Sequence, residues 1–252
     1  MSKIHFIGGE KGGVGKSVLA RLLAQHHIDN NQPFTVFDTD QSHGAMLRFY
    51  GDYSRSVLLD AFEDADQLME AALAAPQNVL VDLAAQTSAP LFRWIDQNNF
   101  LTLAADEGVG VVFWHVMDDG ADGIGLLQRL VDRYGDAASY VVVQNYGRGK
   151  DFSAFRNSPA RVAAEAVGAR FIELPELHAA TMRKVDHLAA SFWAAGQSRP
   201  GGLGLMDRQR LKVWMRKANE QIASLGPVLA VQPPAESVQE WLTGAMDETS
   251  PG

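Results

Sequence analysis

Between an apolar run, Ile4-His5-Phe6-Ile7, and a helix opening at Ser17-Val18-Leu19-Ala20 lies the stretch Gly8-Gly9-Glu10-Lys11-Gly12-Gly13-Val14-Gly15-Lys16-Ser17. Four glycines and two lysines fall in the eight residues from Gly9 to Lys16, and no other feature constrains the fold as much. Glycines let successive N–H groups turn inward as an anion-binding nest. The helix that follows adds its positive dipole end and its unpaired N–H groups. Strand, glycine loop and helix in this order form a phosphate cradle at the carboxyl end of a strand. In such a cradle Lys16 neutralises the β/γ-phosphates and the Ser17 hydroxyl ligates Mg²⁺.

The rest of the chain repeats the alternation. Residues 17–29 are expected as a helix from apolar Val18, Leu19, Leu22, Leu23 and Ile28, broken at Asn30-Asn31-Gln32-Pro33. Short apolar runs at Phe34–Phe37, Asn78–Asp82, Val109–Met117, Tyr140–Asn145 and Arg170–Leu174 predict buried strands. Residues 41–56 lack periodicity and are expected as a loop or switch. Helices are expected over 61–75, over 90–107 ending at Gly108, over 124–134, near 159–167, and over 176–195 and 205–224. This pattern predicts a doubly wound α/β domain, a mostly parallel sheet flanked by helices, with ligands at the carboxyl ends of the strands. One domain is expected over 1–225. A Pro-containing acidic tail, weakly helical at Ser237–Met246, is expected over 226–252.

The loop departs from the standard P-loop pattern G-x-x-x-x-G-K-[ST], because Glu10 stands at its first glycine and a second lysine, Lys11, precedes Lys16 by five residues. In this it resembles the deviant Walker A motif of the ParA/MinD family of ATPases. The resemblance implies a P-loop fold, ATP and Mg²⁺ as ligands, and slow hydrolysis in a face-to-face homodimer. Lys11 would cross that interface to the partner's nucleotide. Gly12, Gly13, Val14, Gly15, Lys16, Ser17 and Val18 would hold the ATP.

Asp38 and Asp40, at the end of the second strand, would alone be a turn or a helix cap. Beside a phosphate loop they become carboxylates for a Mg²⁺·nucleotide. They resemble the family's Walker A′ element, with Gln41 where proline is usual. The resemblance implies that Asp40 orients the attacking water and Asp38 supports the metal shell. Asp82 ends its apolar run as a Walker B aspartate does, and is otherwise a helix N-cap. Gln86, Thr87 and Ser88 would form a second switch. Asn145 stands where relatives read adenine through a side-chain amide, or simply satisfies a turn. Pro175-Glu176 resembles the family's loop that packs on the base.

Arg199, Arg208, Arg210, Lys212, Arg216 and Lys217 place six of the chain's 22 basic residues within 19 positions, although net charge is −8. Three readings stay open for them: a solvated helix face, contact with nonspecific DNA phosphates, or a membrane surface. The acidic C-terminus, with Glu236, Glu240, Asp247 and Glu248, does not resemble the basic membrane anchor of MinD-type relatives, so no stable membrane insertion is expected. No cysteine is present, which excludes disulfides and the iron–sulfur relatives of the family. No signal peptide is expected, and the location is expected to be cytoplasmic, with contact to the nucleoid if DNA is bound.

The expectation is therefore a ParA-type switch ATPase that cycles on and off DNA or a cargo in partition or conjugation-related positioning, with a small activating partner protein. The alternative is an assembly ATPase that positions a protein complex without binding DNA. A ligase-type enzyme of the same fold, similar to dethiobiotin synthetase, would lack Lys11.

Overall fold

A computed structural model describes residues 1–9, 12–41, 44–198 and 200–231. Glu10, Lys11, Arg199 and the expected helix at 237–246 lie outside the described residues. Seven strands form one sheet among the described residues: β1 (Lys3–Gly8), β2 (Phe34–Asp38), β3 (Ser54–Ser56), β4 (Asn78–Asp82), β5 (Gly110–Met117), β6 (Ser139–Asn145) and β7 (Arg170–Leu174). Their order is β3-β2-β4-β1-β5-β6-β7, and every neighbouring pair runs parallel. This is the doubly wound, parallel α/β architecture that the alternation predicts.

Each central strand is apolar on both sides, as a sheet covered by helices requires. Ile4 and Phe6, Val79 and Val81, Phe113, and Tyr140 and Val142 face one core, beneath helices Gln67–Ala74, Ser88–Gln97, Ala121–Tyr134 and Pro159–Ala166. Ile7, Leu80, Val112, Trp114, Val141 and Val143 face the other, beneath helices Lys16–Asp29, Ala179–His187 and Leu205–Ala223. Beyond the last helix, Leu229 is buried, and its carbonyl accepts Nδ2 of Asn78 at 3.0 Å.

The structure corrects several expected boundaries. Residues 41–56 contain helix Ala45–Phe49 and strand β3, which pairs only with β2 over three residues and is too short to show alternation. The single helix expected over 61–75 is two, Phe62–Ala65 and Gln67–Ala74, meeting at Asp66, whose Oδ1 accepts the Trp94 indole N–H at 2.9 Å. Helix 90–107 divides into Ser88–Gln97 and Phe100–Asp106 at Asn99, whose φ of +46° is left-handed. Helix 176–195 divides into Ala179–His187 and Phe192–Gly196 near Ala189, also at φ +46°. No glycine or proline stands at Asp66, Asn99 or Ala189 to announce these breaks. Trp94, Trp114 and Trp214 are buried, and Trp193 is exposed.

Candidate functional site

The cradle forms where β1 ends. Gly9 takes φ +140°, and a β-carbon there would lie 2.5 Å from the Val116 carbonyl oxygen; Gly15 takes φ +104° as the residue before helix Lys16–Asp29. Both conformations need glycine. The buried Lys16 side chain turns back over the loop, and Nζ donates to the Gly9 carbonyl at 2.7 Å. Burial lowers its pKa, and Asp82 pulls in the opposite direction.

β2 and β4 are neighbours in register, with Asp38 opposite Asp82. Thr39 locks the two strand ends together. Its N–H and its hydroxyl each donate to the Asp82 carbonyl at 3.1 Å, and its Oγ1 accepts the Ala84 N–H at 2.8 Å. Asp38 is buried, and its carboxylate accepts the N–H groups of Asp40 at 3.0 Å and Met46 at 2.8 Å. Burial raises its pKa against those hydrogen bonds. Asp82 is buried, accepts the Ser17 hydroxyl, and has an Oδ1 with no hydrogen-bond partner. Burial, with Asp38 and Asp40 nearby, pushes its pKa up to about 7, against the pull of Ser17 and Lys16.

These groups surround one cavity of about 320 Å³, lined by Gly12, Gly13, Gly15, Lys16, Ser17, Val18, Asp38, Asp40, Asp82, Leu83, Ala84, Ala85 and Arg148. Nine residues expected from sequence thus share one wall. Arg148 was not expected there; its only sequence signal is its place in the glycine-basic loop after β6. The segment 84–88 reaches the cavity through Ala84 and Ala85. Gln86 is left-handed at φ +68°, a strained conformation for a residue with a side chain.

The structure gives Asn145 other partners than an open cavity. Its Nδ2 donates to the Val14 carbonyl at 2.6 Å and its Oδ1 accepts the Gly147 N–H at 3.0 Å, so the amide clamps the cradle to the loop after β6. Neither Asn145 nor Val14 lines the cavity. Pro175 and Glu176 line a separate groove of about 340 Å³ beside helix Leu205–Ala223. There the Pro175 carbonyl accepts the Trp214 indole N–H at 2.7 Å, and Glu176 pairs with Lys150.

The basic run divides. At about 100° per residue, Arg208, Lys212 and Arg216 share one side of their helix, and Arg210 and Lys217 lie on another. Arg208 and Lys212 border a groove with Phe192 and exposed Trp193, while Arg210 and Lys217 border the Pro175 groove. Arg210 is tied to Asp207 at 3.2 Å and Arg216 to Glu220 at 2.8 Å. No helix among the described residues is long and apolar enough to cross a membrane.

As donors to a metal, Ser17, Asp38 and Asp82 offer the hard oxygens that Mg²⁺ takes, and the unpartnered Asp82 Oδ1 fits such an ion. No group of three or more His, Cys, Asp or Glu among the described residues could hold an ion by itself. A shell completed by phosphate oxygens and water needs no such group.

No family model matches the chain. It is similar to Protein TraL of Escherichia coli, 26% identical over 235 residues that cover 88% of this chain and 98% of the relative. Protein MobD of Acidithiobacillus ferrooxidans is 26% identical over 179 residues, covering 69% and 78%. Among solved structures, a nucleotide-binding protein from Archaeoglobus fulgidus in complex with ADP is 17% identical, covers 74% of this chain and 86% of that one, and has a TM-score of 0.45. The cell division protein FtsY of Thermotoga maritima is 16% identical, covers 68% and 60%, and has a TM-score of 0.41.

Proposed function

We propose that this chain is a ParA-type ATP switch, binding and hydrolysing ATP with Mg²⁺ and dimerising in its ATP state, and that it serves conjugative transfer or mobilisation of DNA. One observation carries the reading: a glycine cradle with Lys16 and Ser17 shares a single cavity with Asp38, Asp40 and Asp82. The names TraL and MobD of its relatives, from the transfer and mobilisation series, favour that setting over partition.

In this mechanism Lys16 leaves the Gly9 carbonyl for the nucleotide's phosphates. Ser17, Asp82 and Asp38 would hold Mg²⁺, which would offset phosphate charge. Asp40, half-buried beside Asp38, orients a water whose oxygen bonds to the γ-phosphorus as the β,γ-bridging bond breaks. The bond's electron pair leaves with ADP, and the water's proton passes to the released phosphate. Positioning supplies most of the rate. Lys11 completes the partner's site across the dimer, and a small partner protein sets the timing.

The experiment compares wild type, Asp40→Ala and Lys16→Ala by sedimentation with ATP or ADP. Asp40→Ala is expected to bind ATP, form a lasting dimer and lose at least about 100-fold in hydrolysis. Lys16→Ala is expected to lose at least about 10-fold in ATP affinity and remain monomeric. An Asp40→Ala protein that binds ATP yet stays monomeric sinks the switch.

A second reading, a positioning ATPase for a protein complex that never touches DNA, draws on the division of the basic run between two sides of its helix.

A further inference from the structure

The cavity's lining carries three carboxylates, Asp38, Asp40 and Asp82, against two cationic side chains, Lys16 and Arg148. A polyphosphate brings several more negative charges into the same space, so the site needs cations placed before the ligand arrives. Arg148 is built for this. Its own N–H and that of Gly149 both donate to the Asn145 carbonyl, at 2.9 and 3.0 Å. The Asn145 side chain in turn grips Val14 of the cradle. On the other flank the Lys150 N–H donates to Asp119 Oδ2 at 2.7 Å, and a β-carbon on Gly149 would lie 2.6 Å from the Asp119 nitrogen. The Arg148 backbone is thus tied to the cradle and to the loop after β5.

The side chain is exposed at the cavity rim. Whereas Arg156, Arg161 and Arg216 each pair with a glutamate, Arg148 has no side-chain hydrogen bond or ion pair among the described residues. A fixed backbone, an exposed guanidinium and a shared wall with Lys16 and Ser17 suit a planar donor fork that closes on phosphate oxygens.

We propose that Arg148 is a polyphosphate-binding residue of this site, recruited from the loop after β6. The inference rests on the site being a nucleotide site, and the test separates the two. Affinities for ATP, ADP and AMP are measured by calorimetry on the full chain and on Arg148→Ala, Arg148→Lys and Arg148→Gln, with thermal midpoints recorded alongside. Arg148→Ala and Arg148→Gln are expected to lose about 10-fold or more for ATP and ADP. AMP affinity and the midpoint should stay unchanged, and Arg148→Lys should recover part of the loss. Wild-type-like ADP affinity in both variants overturns the proposal, as does an equal loss for AMP, which marks a structural role. A wild-type chain that binds none of the three overturns the nucleotide reading and this inference with it.

Discussion

Val14 and Asn145 stand 131 residues apart in sequence, yet the Asn145 amide holds the Val14 carbonyl at 2.6 Å and lies against Gly15. A β-carbon at Gly15 would overlap Asn145 Nδ2, and its φ of +104° is one that side chains rarely adopt. Gly15→Ala is therefore expected to cost about 1–3 kcal/mol of stability and to open the clamp. Asn145→Ala leaves the Val14 carbonyl and the Gly147 N–H without their partner, at a similar cost of about 1–3 kcal/mol. Because both changes strike one contact, the double variant should cost clearly less than the sum, which urea denaturation of the four proteins measures. Strict additivity would mean the clamp does not couple them. Gly15 was legible by the loop pattern; Asn145 was expected to read adenine or to satisfy a turn, and in the structure its side chain bonds to Val14 and Gly147. That they touch was not legible, since nothing local in either segment encodes the other. Arg148 was less legible still. An exposed arginine between two glycines carries no pattern, and only the topology sets it on the cavity wall.

At the scale of an element, helix Leu205–Ala223 shows how a charge run misleads. In sequence its basic residues form one cluster; on the helix, Asp207, Leu211, Trp214, Ala218 and Ile222 are buried, and the basic residues flank that stripe on two sides. A duplex can meet one side at a time. Arg208, Lys212 and Arg216 recur every four residues along one side, and Arg210 and Lys217 lie on the other; Arg208 is tied to the Leu203 carbonyl, Arg216 to Glu220 and Arg210 to Asp207. If ATP-bound protein is retained on nonspecific duplex DNA, Arg208→Ala with Lys212→Ala should weaken it and lower the salt slope by about 2. Arg210→Ala with Lys217→Ala should leave both nearly unchanged. Equal losses from the two pairs would contradict a one-sided interface, and no retention at low salt with ATP removes DNA from the reading altogether. Every strand but β3 was legible, as a short run of mostly apolar residues. The edge strand β3 and the breaks at Asp66, Asn99 and Ala189 were not, because β3 is too short to show alternation and no glycine or proline stands at the breaks.

The whole molecule carries its own response to acid. His5, His27 and His115 are buried, and burial lowers their pKa values to about 3, 4 and 4. Each is neutral when folded and takes a proton more readily when unfolded, so stability is complete above about pH 6.5 and falls as pH drops toward 4. By pH 5 each histidine should cost about 2 kcal/mol. Asp82, raised to about 7, opposes this by roughly the same amount as one histidine, since its folded form binds the proton first. The net loss between pH 7.5 and pH 5 is expected to be on the order of 2–4 kcal/mol. A urea midpoint that stays constant across that range would refute it. His5 also belongs to a relay that crosses the sheet: the Trp114 indole N–H donates to its Nδ1 at 3.1 Å, its Nε2 meets Asn78 Oδ1 at 2.9 Å, and Asn78 holds the Leu229 carbonyl. Asn78 is the first residue of β4 and Asp82 the last. The backbone at Leu229 therefore lies one strand length, about 13 Å, from the cavity, on the opposite rim of the sheet. A fluorophore or surface tether attached at Ala230 would sit on that rim and leave the cavity between β1, β2 and β4 unencumbered.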